Sequence, residues 1–141
     1  MSETIFAKII DGTIPCHRVY EDKDVMAFLD INPLSRGHTL LIPKESAETL
    51  GELSDRAAEA LGRALPRVCR AVCHATGIRE YNVLQNNGSG AHQAVMQVHF
   101  HIIPKPDVGS GLGVGWPAGN LDAEEGERIA ATIREALKAE A

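Results

Sequence analysis

The period of the apolar positions changes several times along the chain, and each change marks an element. Residues 25–29, Val25-Met26-Ala27-Phe28-Leu29, are continuously apolar and follow residues 17–20 across the polar stretch Glu21-Asp22-Lys23-Asp24, the pattern of a strand hairpin. Asn32 and Pro33 end the second strand and leave Asp30 at its tip. Residues 38–42 predict a third strand, stopped by Pro43. From about Ser54 to Ala75 the spacing becomes helical. Ala57, Leu61, Leu65, Val68 and Val72 recur at steps of three and four, with Ser54 as N-cap, Gly77 as C-cap and a kink expected at Pro66.

Residues 81–85 predict a fourth strand, which runs into the turn-forming stretch Asn86-Asn87-Gly88-Ser89-Gly90-Ala91-His92-Gln93. Alternation returns over 95–103, the last predicted strand, closed by Pro104 and Pro106. Residues 109–115 are too rich in glycine for regular structure. A terminal helix is expected over about 122–140, where Asp122 and Glu125 resemble a capping box and Ile129, Ile133 and Leu137 recur every four residues. The expected architecture is α+β: an antiparallel sheet with one main helix packed on it and a C-terminal helical tail.

Composition narrows the function. A length of 141 residues fits one domain, taken here as 1–141. The net charge of −5 argues against nucleic acid as a partner, so any bound phosphate needs local donors. No apolar run approaches the ~18 residues of a membrane span, and Glu3 and Asp11 are out of place in a signal peptide, so a cytoplasmic protein with no membrane partner is expected. Cys16, Cys69 and Cys73 have no disulfide-scaffold spacing. Reduced thiols are expected, with Cys69 and Cys73 on the packed face of the main helix rather than joining His74 around a metal.

The candidate chemistry lies in the last predicted strand. Alternation puts Met96, Val98, Phe100 and Ile102 on one face and Gln97, His99, His101 and Ile103 on the other. Alternate strand positions are about 6.5 to 7 Å apart, so two imidazoles can converge on one small ligand. A His-x-His pair is open to three readings: surface polarity, a metal site, or phosphate chemistry. Against metal, no third ligand stands at an obvious spacing, His92 being seven residues upstream on a loop. For an anion, Gly88, Ser89, Gly90 and Ala91 let backbone N–H groups approach, and Asn86 adds an amide.

The run Asn86-Asn87-Gly88 followed by His92-Gln93-Ala94-Val95-Met96-Gln97-Val98-His99-Phe100-His101-Ile102-Ile103-Pro104 resembles the signature of the histidine triad (HIT) family, in particular its Hint branch. The resemblance takes in Ile5-Phe6-Ala7-Lys8-Ile9-Ile10, the stretch from Ala27 to Pro33, Gly37-His38, Ile42-Pro43-Lys44 and Gly115-Trp116-Pro117, about residues 4–119. It implies a HIT-like fold, a homodimer, and a pocket for purine nucleotides, AMP or GMP derivatives, with no cofactor. His99 corresponds to the nucleophile that attacks the α-phosphorus, giving a nucleotidyl-histidine that water hydrolyses. His101 corresponds to the third triad position, in contact with phosphate, and His38 to a residue orienting a triad imidazole. The resemblance implies Asp30 on the ribose hydroxyls, Ile5, Phe6, Ile9, Phe28, Ile31 and Leu40 around the base, and Asn86, His92 and Ala94 beside the phosphate.

The chain departs from the pattern at two points. Gln97 occupies the first triad position, where an amide exchanges hydrogen bonds but does not titrate near pH 7. Ala94 stands where many relatives have a serine that assists the leaving group. Some members also hold a structural zinc; the corresponding positions here, Thr4, Ala7, Ser46 and Gln97, offer no cysteine or histidine, and no metal is expected. The implied activity is cleavage of P–N or P–O bonds in purine nucleoside monophosphate derivatives. A dinucleoside polyphosphate hydrolase, a nucleotidyl transferase and a non-catalytic nucleotide-binding protein are the alternatives.

Overall fold

A computed structural model of the chain describes residues 3–140. The elements run α1 (Ile5–Ile10), β1 (Arg18–Glu21), β2 (Val25–Leu29), β3 (Thr39–Pro43), α2 (Asp55–Thr76), β4 (Tyr81–Gln85), β5 (Phe100–Pro104) and α3 (Ala123–Leu137). The strands form one antiparallel sheet in the order β1-β2-β3-β5-β4. The α+β expectation of a sheet carrying one main helix and a helical tail therefore holds.

Both faces of the sheet centre are covered, which is why β2 and β3 are continuously apolar. Val25, Ala27, Leu41 and Ile102 point to one side, against Ala60, Leu61, Ala64, Val68, Cys69 and Val72 of α2. The alanines of that stripe present little side chain, so the helix sits close to the sheet. Met26, Phe28, Leu40 and Ile42 point to the other side, where Phe6 and Ile9 of α1 close over them. At the ends of α2, the Ser54 hydroxyl accepts from Ala57 N–H, and Gly77 adopts the left-handed conformation with φ of 73°. The helix runs unbroken through Pro66. All three cysteines are free, with Cys69 buried on the sheet-facing side of α2.

Two expectations need correction. No element was predicted for residues 5–10, because six residues with three isoleucines carry too little intrinsic helix preference. Burial of Phe6 and Ile9 on one side, together with a Thr4 hydroxyl accepting from Ala7 N–H, makes a short helix of them. The predicted strand over 95–103 shrinks to its second half, since β5 begins at Phe100. Upstream of it, Gln97 N–H bonds Val95 O and Val98 N–H bonds Ala47 O, so residues 95–99 follow an irregular path outside the ladder.

The α3 helix begins as predicted, with the Asp122 carboxylate accepting from Glu125 N–H. None of its residues is buried, and Ile129, Ile133 and Leu137 form an exposed apolar stripe.

Candidate active site

Where β2, β3 and β5 end near the loop after β4, a cleft of about 220 Å³ opens between Asp30, Asn32, Leu34, His38, Leu84, Asn86, His92, Ala94, His99, His101 and Ile103. Asp30, His38, His99, His101, Asn86, His92 and Ala94 were predicted for the site, and the fold brings these seven together. A second groove, of about 270 Å³ between α2 and the first three strands, is lined by residues such as Val19, Leu29, Val68 and Ala71 and contains no histidine or carboxylate. The titratable groups predicted for the site gather in the first cleft.

The hydrogen bonds assign the tautomers. His99 Nδ1 lies 2.7 Å from the Gln97 backbone carbonyl, which only accepts, so Nδ1 holds the hydrogen and Nε2 keeps a free lone pair. In His38, Nδ1 accepts from Leu34 N–H at 3.0 Å, which places the hydrogen of the neutral ring on Nε2. That Nε2 lies 2.9 Å from His101 Nδ1 and 3.5 Å from an Asp30 carboxylate oxygen. His101 Nδ1 therefore accepts, and its own hydrogen sits on Nε2. His99 and His101 thus have opposite tautomers: His99 offers an electron pair at Nε2, and His101 offers a donor there.

Burial keeps these rings neutral. It is the largest influence on each, taking His38 and His99 below the ordinary histidine value and His101 down to about 4. His101 is lowered further by the neighbouring His99 and His38, while the Asp30 carboxylate pulls all three upward. The ring centroids of His99 and His101 are 4.9 Å apart, closer than regular strand spacing implies, because His99 precedes the ladder. Phe6 meets His99 edge to face at 5.0 Å and Phe28 at 5.7 Å.

Asp30, His38 and His101 bring ligand atoms within 4.8 Å of one another, a spacing that could hold a cation. A cation on His38 Nε2 would need that nitrogen's hydrogen removed while Nδ1 still accepts from Leu34, leaving an anionic ring. The trio suits a shared hydrogen better than an ion. At the four positions aligned with a structural zinc, Thr4 Oγ1 donates instead to Gln97 Oε1.

Other predicted residues lie elsewhere. Gln97 was expected beside the two imidazoles, but the irregular path of 95–99 breaks the alternation and its side chain is buried against Thr4, outside the cleft. Phe6, Ile9, Phe28 and Leu40 form closed core behind His99, whereas Ile5 and Ile31 are exposed, Ile31 by 77%. Three contributors were not singled out by sequence. Leu34 acts through its backbone, and Gln93 through a buried side chain that bonds Glu48 O, Val95 O and Gly88 N–H. Thr4 is the third, and a threonine just ahead of the apolar pair Phe6 and Ile9 is an N-cap signal that could have marked it.

The family described as HIT domain matches residues 11–108. Adenosine 5'-monophosphoramidase hnt1 of Schizosaccharomyces pombe is 52% identical over 134 residues, covering 92% of this chain and 98% of the relative. A hypothetical protein from Leishmania major superposes with a TM-score of 0.91 at 50% identity, covering 96% of both chains. The histidine triad nucleotide-binding protein from Candida albicans superposes with a TM-score of 0.90 at 36% identity, covering 99% of this chain and all of that one, 100%.

Proposed function

The chain belongs to the HIT domain family, and from that premise we propose that it hydrolyses adenosine 5'-monophosphoramidate and related purine nucleoside phosphoramidates through a nucleotidyl-His99 intermediate. The observation that carries the reading is the pair of opposite tautomers in one cleft. His99 Nε2, neutral and unblocked, attacks phosphorus without bringing negative charge toward an anionic phosphate. As the N–P bond forms, the ring becomes cationic, and its Nδ1–H is already held by the Gln97 carbonyl. His101 donates from Nε2 to a nonbridging oxygen as charge develops there. The P–N bond breaks with protonation of the leaving nitrogen, and water then releases the nucleotide from His99.

Asp30 stands at the cleft wall for the ribose hydroxyls, and the exposed Ile31 beside it offers apolar surface to the base. The substrate class is supported by the name of the fission-yeast relative, an adenosine 5'-monophosphoramidase. We also take the working unit to be a homodimer. Among the described residues nothing pairs with the outer edge of β4, Tyr81 and Val83 on it are exposed, and α3 presents its apolar stripe to solvent. Sedimentation near twice 15.2 kDa is expected, and a 15.2 kDa species at working concentration contradicts the dimer.

The mechanism is tested by rapid-quench mass spectrometry with an adenylate bearing a good leaving group. An adenylyl adduct on His99 is expected, along with a His99→Ala variant that binds AMP without turnover. An adduct on His101, or turnover with no histidine adduct, overturns the reading.

A further inference from the structure

We propose that Thr4, outside the cleft and at the start of α1, is a positioning residue for His99 and acts through the Gln97 side chain. The inference rests on the reading that His99 is the nucleophile.

The direction in which His99 Nε2 points depends on the Gln97 carbonyl, because that oxygen holds the opposite ring nitrogen at 2.7 Å. Gln97 lies where no ladder fixes the backbone. Its peptide is pinned by Gln97 N–H on Val95 O at 2.8 Å and by Val98 N–H on Ala47 O at 2.9 Å. The third anchor is its own side chain, 3% exposed as a residue, whose amide oxygen accepts from the Thr4 hydroxyl across 93 residues of sequence. A buried amide without a partner costs free energy, so this contact decides where Gln97 can sit.

The Thr4 oxygen does two things at once. Its lone pair accepts from Ala7 N–H at 3.1 Å and caps α1, and its hydrogen goes to Gln97. Two residues on, Phe6 packs its ring against His99 with an interplanar angle of 77°. The short helix therefore reaches the nucleophile by two routes, through an aromatic contact and through the amide that sets the carbonyl. Neither Thr4 nor Gln97 lines the cleft, so neither side chain is placed to meet substrate.

Three variants separate this role from simple stability. Thr4→Val keeps the β-branched shape and loses both the cap and the donor, Thr4→Ser keeps both, and Gln97→Leu loses the clamp while leaving the cap intact. With adenosine 5'-monophosphoramidate, Thr4→Val and Gln97→Leu are expected to lower kcat about tenfold with little change in KM, within the range that small misplacement of a reacting group produces. Thr4→Ser should retain wild-type kcat. The double variant Thr4→Val with Gln97→Leu should be no slower than the slower single variant, because one contact is lost in each case. The ring nitrogens of His99, followed by ¹⁵N NMR, supply a readout independent of turnover: a single Nδ1–H tautomer in the wild type, and a mixture of tautomers in Thr4→Val and Gln97→Leu. Wild-type kcat with an unchanged tautomer in Gln97→Leu overturns the proposal, as does a multiplicative loss in the double variant. If the adenylyl adduct maps to a different histidine, the mechanism fails, and the NMR comparison still decides whether Thr4 holds the His99 ring.

Discussion

His38 Nε2 and His101 Nδ1 lie 2.9 Å apart, and the hydrogen between them belongs to His38 because Leu34 N–H occupies its other nitrogen. The donor that His101 presents to the cleft is thus fixed from the main chain of the β2–β3 connection. His38→Ala removes that control while leaving His101 in place. It is expected to lower kcat on adenosine 5'-monophosphoramidate about tenfold, less than the ~10²–10³ lost when such a donor is deleted outright. His38→Gln can still donate an amide N–H to His101 and should recover part of the loss. Equal rates for the two variants contradict the tautomer argument.

The depressed histidines set a pH dependence. Since His99 is taken below the ordinary value by burial, its attacking form persists through neutrality, and kcat/KM should be level between about pH 7 and 8 with its acid limb below the usual histidine value of about 6.5. Stability follows the same sign. His101, about 4 in the fold against 6.5 for a free histidine, binds protons more readily in the unfolded chain, so acid favours unfolding. Its contribution is fully present above about pH 6.5 and is lost as the pH falls toward about 4. The urea midpoint should drop between pH 7 and 5 in the wild type and drop less in His101→Asn. An inflection of kcat/KM at or above 6.5 contradicts the assignment.

Much of this was legible because the informative residues carry their signal locally. Continuous apolar runs marked β2 and β3, three- and four-residue steps marked α2, and Ser54 and Gly77 marked its ends. The pair His99 and His101 was visible on its own strand. What stayed hidden depends on distant partners. Thr4 and Gln97 are 93 residues apart; the resemblance put both at positions of one zinc site, but nothing in either segment announces a hydrogen bond between them. Residues 95–99 alternate like a strand, yet Val98 N–H bonds Ala47, outside the sheet, and the alternation over Met96 and Gln97 has no structural counterpart. The α1 helix exists because Phe6 and Ile9 are buried, a tertiary fact that local preference does not contain.

Asp30 serves two neighbours. One carboxylate oxygen accepts from Asn32 N–H and shapes the turn after β2, and the other lies 3.5 Å from His38 Nε2 at the cleft wall. Asp30→Asn should raise KM for the nucleotide with a smaller change in kcat, because ribose contacts act in the ground state as well as the transition state. It should also move the acid limb of kcat/KM to lower pH, since the carboxylate raises His38, His99 and His101 and the amide does not. An unchanged KM removes Asp30 from the ribose contact, and a limb that moves to higher pH removes its effect on the histidines.

Gln93 tests whether the rim of the cleft is held from beneath. Its amide nitrogen donates to Glu48 O at 2.7 Å and Val95 O at 3.0 Å, and its amide oxygen accepts from Gly88 N–H at 2.6 Å, so one buried side chain ties three segments of backbone. Asn86, His92 and Ala94, the rim residues, are carried by those segments. Gln93→Ala strips Glu48 O and Gly88 N–H of these partners, leaves Val95 O with Gln97 N–H alone, and is expected to cost about 2 to 3 kcal/mol by urea unfolding. Asn86→Ala removes only an exposed amide that donates to His92 O at 3.3 Å, and should change stability by less than about 0.5 kcal/mol. The kinetic effects should differ as well. Gln93→Ala frees the whole rim and should lower kcat/KM under conditions where the protein is fully folded, whereas a variant that loses stability and keeps wild-type kcat/KM would place Gln93 in the fold alone and leave the rim to position itself.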